Sequence, residues 1–363
     1  MKCETAKLKD ISIIKTGKLD SNAAVPNGRY PFFTCDPQTL NIDVWAYDTE
    51  AVLLAGNNAS GNYTAKYYNG KFNAYQRTYI IESFDKNKLN IRYLCYAMNL
   101  QLSLLKTMSS GSTTKFLTIK MLHGLDIPFP SIEKQNRIAQ ILSNYDNLIE
   151  NNQKQIKLLE EAAQRLYKEW FVDLHFPGYE SANIIDGVPE GWFKSPIGDL
   201  IDKSYRSKQV KTADYMIEGD IPVVDQSRAF IAGYTNDIET VVDLGKPVIV
   251  FGDHTRILKY TQFPFAKGAD GTQLIVSNCE NMPQVLLYFS LLNVDLSNYH
   301  YARHFKYLKA EEIIVPDKTM AEKYDDIATN IMKKVHVLRE QIRNAEQARD
   351  RLLPKLMSGE IEV

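Results

Sequence analysis

The two halves of this 363-residue chain carry the same elements in the same order, so any fold for it has to hold two copies of one unit. Each half opens on a short apolar and charged entry, LKDISII from Leu8 and IGDLID from Ile197. A strand-like segment containing a proline follows, YPFFT from Tyr30 and IPVVD from Ile221. Next comes an apolar run of buried-strand type that ends in glycine, at Gly56 and at Gly252. A turn-rich stretch leads to a further strand (TYIIES, TQLIVS) and an apolar helix (RYLCYAMNLQLSLL, PQVLLYFSLLNV). A polar loop then ends in FLTIKML or FKYLKAEE, and a short strand closes on Pro130 or Pro316. A long helix ends each half.

Those last helices have a clear period. In the first, Ile138, Leu142, Tyr145, Ile149, Asn152, Ile156, Leu159, Ala163, Leu166 and Trp170 recur at alternating spacings of four and three. In the second, Ala328, Ile331, Val335, Leu338, Ile342, Ala345, Arg349, Leu352 and Leu356 do the same. That is a heptad seam, and two seams at matching places in two repeats predict a helix pair. The first seam is roughly 48 Å long at 1.5 Å per residue, the length of a spacer rather than of a compact domain's helix. Asn152 and Arg349 interrupt the stripes; each either sets register or lies solvated at the edge. Pro354 is expected to end or kink the second helix.

Composition narrows the class. With 44% hydrophobic and 24% charged residues the chain is of globular type. The four cysteines, Cys3, Cys35, Cys95 and Cys279, form no CxxC pair, so reduced buried thiols are expected, with neither zinc nor disulfides. The N-terminus is too polar for a secretory signal, and no apolar run reaches membrane-span length, so a cytoplasmic location is expected. The net charge of −1 is unevenly spread: residues 1–130 carry 15 Lys and Arg against 10 Asp and Glu, whereas 171–317 carry 13 against 20. A uniformly basic DNA-binding surface is therefore absent, which counts against a stand-alone, high-affinity DNA binder.

With these motifs in place, the chain resembles the specificity subunit of type I restriction-modification systems. The resemblance runs over the whole chain and is strongest in LDIPFPSIEKQNRIAQIL (Leu125 to Leu142), GVPEGW (Gly187 to Trp192) and RDRLLPKLMSGEIEV (Arg349 to Val363), with SSGSTTKFLT (Ser109 to Thr118) in support. One departure is that the first half lacks a PxGW entry and starts directly at LKDIS. The resemblance implies an α+β fold: two similar mixed α/β target-recognition domains, joined and separated by two long antiparallel coiled-coil helices. The expected bounds are 1–130 and 173–317 for the domains, with 131–172 and 318–363 for the helices. It implies a non-catalytic subunit that reads a bipartite site on double-stranded DNA. Two modification (methyltransferase) subunits would dock on the helices, and two motor-nuclease restriction subunits can join. S-adenosylmethionine, ATP and Mg²⁺ would belong to those partners and no cofactor to this chain. The alternative is a free-standing DNA-binding regulator, which needs no docking surface and which the weak net charge disfavours.

No catalytic or metal-binding residues are expected. The stretch from Gly56 to Gly61 has P-loop glycine spacing but lacks the Lys and Ser/Thr that engage phosphate and magnesium. No GxGxxG opens a helix, and no Asn-Pro-Pro-aromatic tetrad occurs. His300 and His304 are four apart, but no Glu follows His300. DNA contacts are expected from loops instead. In the first half these are Asn57, Asn58, Ser60, Gln76, Arg77, Ser112, Thr113, Thr114 and Lys115. In the second they are Asp253, His254, Thr255, Arg256, Lys267, Asp270, Gln273, Tyr301, Arg303, His304 and Lys306. Asn and Gln suit adenine, Arg and Lys suit guanine, and Asp253 or Asp270 would accept from cytosine.

If the helices act as a ruler, four residues inserted near Gln153 add roughly 6 Å of helix. Methylation mapping should then return the same two half-sequences with a longer spacer. A changed half-sequence at the old spacing would end the ruler idea.

Overall fold

The computed structural model describes residues 4–363 apart from 60, 110–113, 203–206, 269–270 and 300–302. The chain divides into two compact units, 1–150 with 342–363, and 151–341.

The first unit is built on a six-stranded sheet. Its order is Ser12–Thr16, Thr78–Ser83, Tyr47–Ala55, Ala65–Ala74, Tyr30–Phe33, Leu40–Ile42. All pairings are antiparallel except that of Tyr30–Phe33 with Ala65–Ala74, which is parallel. The central run from Ala51 to Ala55 is apolar at every position because both faces of the sheet are covered. Val52 and Leu54 face one core, with Ile81, Tyr93, Leu94 and Met98. Ala51 and Leu53 face the other, with Phe33, Phe72 and Ile80. Three helices belong to this part: α1 (Leu8–Ile11), α2 (Ile91–Met108) and α3 (Ile119–His123). Asn90 starts α2, its side chain accepting from the Tyr93 N–H at 2.9 Å. The closing strand Asp126–Pro128 pairs antiparallel with Thr5–Lys7. It leads into the long helix α4 (Ile132–Tyr167), which continues through a π-helical turn at Lys168–Val172.

The second unit repeats this plan. Val248–Gly252 is its central strand, flanked antiparallel by Leu258–Thr261 and Thr272–Ile275. The proline-containing strand Ile221–Val224 again makes the parallel pairing, here with Phe265–Lys267. The closing strand Glu312–Val315 again pairs with the entry strand, Phe193–Pro196. One difference has a local cause. The ten-residue strand Ala65–Ala74 corresponds to two short strands, Leu258–Thr261 and Phe265–Lys267, with Pro264 between them. Proline cannot donate to a ladder, and the sheet of the second unit splits there. The helices are α5 (Gln284–Leu292), α6 (His304–Ala310) and α7 (Lys318–Ser358).

Each unit holds a stretch of both long helices, and in each they run antiparallel. In the first unit Ile138 and Leu142 of α4 share a core with Leu356 and Met357 of α7. Arg349 pairs with Asp146 across the helices at 2.8 Å, and Tyr96 donates to the same carboxylate. In the second unit Ala163 and Tyr167 pack with Tyr324, Ala328, Met332 and Val335. There Asn152, only 2% exposed, donates to Gln341 at 3.0 Å, and Arg339 meets Glu160 at 2.6 Å. Asn152 and Arg349 thus bond across the seam instead of lying solvated.

The periodicity located the stripe with one shift, and the helix end differs from the expectation. Ile149 and Leu338 are buried; Tyr145, Ile156, Leu159, Leu166, Ile342 and Leu352 are half-buried. Ile331, expected in the seam, is half-buried, and the neighbouring Met332 is fully buried. Pro354 does not end α7, which runs on to Ser358. The proline leaves the Asp350 carbonyl without its helical donor, but residue 354 is exposed, where water can serve. No helix among the described residues is long and apolar enough to cross a membrane.

Leu142 is fully buried and Leu158 is 64% exposed on the same helix. Leu142→Ala should therefore lose about 2–5 kcal/mol in urea unfolding, and Leu158→Ala no more than about 0.5 kcal/mol. Equal effects would contradict this burial pattern.

Candidate functional site

In each unit the expected contact residues gather where the glycine-ended central strand stops. In the first, the Gly56 N–H donates to the Arg77 carbonyl at 2.8 Å, and the Leu117 N–H donates to the Gly56 carbonyl at 2.8 Å. A Cβ on Gly56 would stand 2.3 Å from the Arg77 oxygen, so only glycine lets these segments close together. Beyond it, Asn57–Asn58 and Lys115–Phe116 form a small antiparallel ladder. Asn57, Asn58 and Lys115, expected in loops, are therefore strand residues with half-buried side chains. Lys106 donates to the Asn62 side chain at 2.8 Å, tying the end of α2 to the same cluster. Gln76 and Arg77 stand exposed on the neighbouring turn, and Thr114 is exposed. The Asn57 Oδ1 is buried without a hydrogen-bond partner, an acceptor left open at this point. Ser60, Ser112 and Thr113 lie outside the described residues.

In the second unit Gly252 has the matching position: a Cβ there would come within 2.2 Å of Thr255 Oγ1 and 2.8 Å of Gln226 Cβ. His254, Thr255 and Arg256 follow it in an exposed turn, with Arg256 at φ +61°. The Arg256 guanidinium donates to His304 Nε2 and to the Tyr299 carbonyl, both at 3.2 Å. Arg303 and Lys306 are exposed and Gln273 is half-buried in its strand. Asp270 and Tyr301 lie outside the described residues, as does His300.

Three of the expected contacts have internal positions. Asp253 is buried; its carboxylate accepts from the Phe305 N–H at 2.7 Å and its carbonyl from the His304 N–H at 3.0 Å. It holds the first turn of α6 instead of offering an acceptor to cytosine. His304 is buried, and desolvation with the Arg256 charge beside it lowers its pKa, favouring the neutral ring. Lys267, expected in a loop, is instead buried in the strand Phe265–Lys267.

A further segment was not singled out in the sequence: the loop after the proline-containing strand, 34–39 in one unit and 225–230 in the other. Cys35 Sγ reaches the Arg77 carbonyl at 3.6 Å, and its thiol pKa is raised by burial. Gln226 accepts from Thr255 Oγ1 at 2.7 Å through its carbonyl and from the His254 N–H at 3.2 Å through its side chain. The duplication held the signal, since Asp36 and Gln38 follow one strand as Asp225 and Gln226 follow the other. Among the described residues no group of His, Cys, Asp and Glu is arranged to hold a metal ion.

Comparison with known proteins adds the family. Residues 2–161 match the family described as the type I restriction modification DNA specificity domain. The type I restriction enzyme EcoDI specificity subunit of Escherichia coli is 35% identical over 162 residues, 45% of this chain and 35% of that protein. The MjaIX specificity subunit of Methanocaldococcus jannaschii is 26% identical over 287 residues, 71% of this chain and 66% of that protein. The matched spans thus cover about a third and just under two thirds of these relatives. Among solved structures, the type I restriction-modification S subunit from M. genitalium superposes with a TM-score of 0.65 at 17% identity, covering 97% of this chain and 95% of that one.

The loop 225–230 rests on Lys259, whose side chain is 4% exposed and lies 3.7 Å from Asp225. Burial lowers the Lys259 pKa to about 8, against the opposing pull of Asp225. In the unfolded chain the same lysine titrates near 10.4. Between these values the unfolded state binds the extra proton, so this group adds stability as pH rises through about 8 and loses it as pH falls. From pH 7.5 to 9.5 the stability difference between the wild type and Lys259→Met should grow by about 2 kcal/mol in favour of the wild type. A difference that stays constant would show that Lys259 is not desolvated. Residues 2–161 thus match the type I restriction modification DNA specificity domain, and the described chain shares the fold of the M. genitalium S subunit.

Proposed function

We propose that this chain is the sequence-specific DNA recognition subunit of a type I restriction-modification complex, reading a bipartite site with one half-site for each unit. One observation carries the reading: the same cluster of loops recurs at the end of the same central strand in two copies of one topology, the first within a matched DNA specificity domain. Exposed side chains at these clusters have the chemistry for base edges, Gln76 and Arg77 in one, Arg303 and Lys306 in the other. Thr114, Thr255 and the half-buried Lys115 suit phosphate oxygens.

The remaining parts belong to partners. With a net charge of −1, the chain relies on other subunits for much of its phosphate contact. Two modification subunits dock on α4 and α7, and two motor-nuclease subunits join where DNA is cut. S-adenosylmethionine, ATP and Mg²⁺ act on those subunits in the cytoplasm, and this chain guides their chemistry without catalysing it. A free-standing regulator would bind its site at full affinity with no partner present, which separates the two readings.

The test is a domain exchange. Residues 1–130 are replaced by the equivalent segment of a relative, and methylated sites are mapped in cells that supply the modification subunit. One half-site should change while the other persists. Joint change of both halves, or change in neither, would refute modular reading.

A further inference from the structure

We propose that the loop after the proline-containing strand, 34–39 in the first unit and 225–230 in the second, is a base-reading segment, with Gln38 and Arg228 as its specificity-determining side chains. The inference rests on the DNA-reading function proposed above.

Both loops are held in the same unusual way. In the first unit Lys66, from the strand next to the central one, donates to the Asp36 carbonyl and to Thr39 Oγ1, each at 3.2 Å. In the second, Lys259, again from the strand next to the central one, donates to the Ala229 carbonyl and faces Asp225. Burial lowers the pKa of both lysines, so each ammonium is partly withdrawn from water and depends on the loop for its acceptors. Placing a lysine there is unfavourable unless the loop keeps one shape, and each loop makes the same turn. The Gln38 N–H donates to Asp36 Oδ1 at 2.7 Å, and the Ser227 N–H donates to Asp225 Oδ1 at 2.9 Å. In the second unit the far end of the loop is pinned as well, with the Arg339 guanidinium 3.9 Å from the Phe230 ring centroid.

The body of each loop is therefore rigid and joined to the cluster through Cys35 or Gln226, while its tip projects a polar side chain. Gln38 and Arg228 are exposed and make no side-chain hydrogen bond or ion pair among the described residues. A glutamine can pair bidentately with adenine N6 and N7, and an arginine with guanine O6 and N7. Fixing the loop in advance removes ordering entropy from binding, which favours contact by these side chains over contact by mobile ones.

The test uses the full chain assembled with its modification subunit, carrying Gln38→Ala or Arg228→Ala. Methylated sites are mapped, and binding to site variants is measured over a range of salt. Gln38→Ala should relax one base position in the half-site of the first unit, and Arg228→Ala one position in that of the second. Discrimination at that position should fall about 5- to 150-fold, with the other half-site untouched. Unchanged discrimination at every position would overturn the proposal. So would uniform weakening on all sequences with a shallower salt dependence, the sign of a phosphate contact. A wild-type complex that methylates with no bipartite site would remove the DNA-reading function itself, an outcome distinct from failure of the loop assignment.

Discussion

The apolar stripes of α4 and α7 have to be covered, and the globular parts of the chain fold against them. In the first unit the sheet and α2 close over Ile138 and Leu142, with Leu356 of α7 beside them. In the second, Tyr167, Trp170 and Phe171 meet Tyr324 edge-on, with the Trp192 ring tilted against Phe171. Each large side chain buried in this way is worth about 1.5–3 kcal/mol. That is well above what the partly exposed pairs Arg349–Asp146 and Arg339–Glu160 contribute. Burial supplies the stability. The Asn152–Gln341 bond acts on register, since sliding one helix along the other would leave the buried Asn152 amide unmatched, and the partly exposed ion pairs add to it.

The entry and closing strands set the geometry of each unit. Pairing Thr5–Lys7 with Asp126–Pro128, and Phe193–Pro196 with Glu312–Val315, brings the first residues of each repeat beside the last strand before a long helix. In the second unit the Trp192 indole also donates to Asp317 at 2.8 Å, just ahead of α7. In each unit the central strand ends at a glycine, and the loops meet at that end. Gly56 and Gly252 admit a backbone carbonyl and a neighbouring side chain that a Cβ would exclude.

Within those clusters, the buried residues support the exposed ones. Asp253 holds the start of α6, Lys259 holds the loop 225–230, and Gln226 links that loop to His254 and Thr255. The proposed recognition role needs such support, because an exposed Arg or Gln discriminates bases only when its backbone is fixed. The two units keep the same kind of support from different register positions: Lys66 and Lys259 stand one step apart, opposite Leu53 and Val250. This lets the side chains at the tips diverge while the frame persists.

Sequence alone determined the duplication, the order of elements, the two long helices and most of their buried stripe, because periodicity and repetition are properties of the chain itself. It also located the glycine-ended strands and many of the exposed side chains around them. Tertiary structure decided the parallel pairing within each sheet, the choice of Met332 over Ile331, and the passage of α7 through Pro354. It also decided which polar residues look inward. Asp253, His304 and Lys267 read as loop residues in the sequence and are buried in the fold. The loops 34–39 and 225–230 gave little sign of their place until the strands were paired. The reason is physical: whether a polar side chain faces solvent or a neighbouring backbone depends on what packs over it. Those neighbours come from segments tens of residues away, beyond the reach of any local pattern.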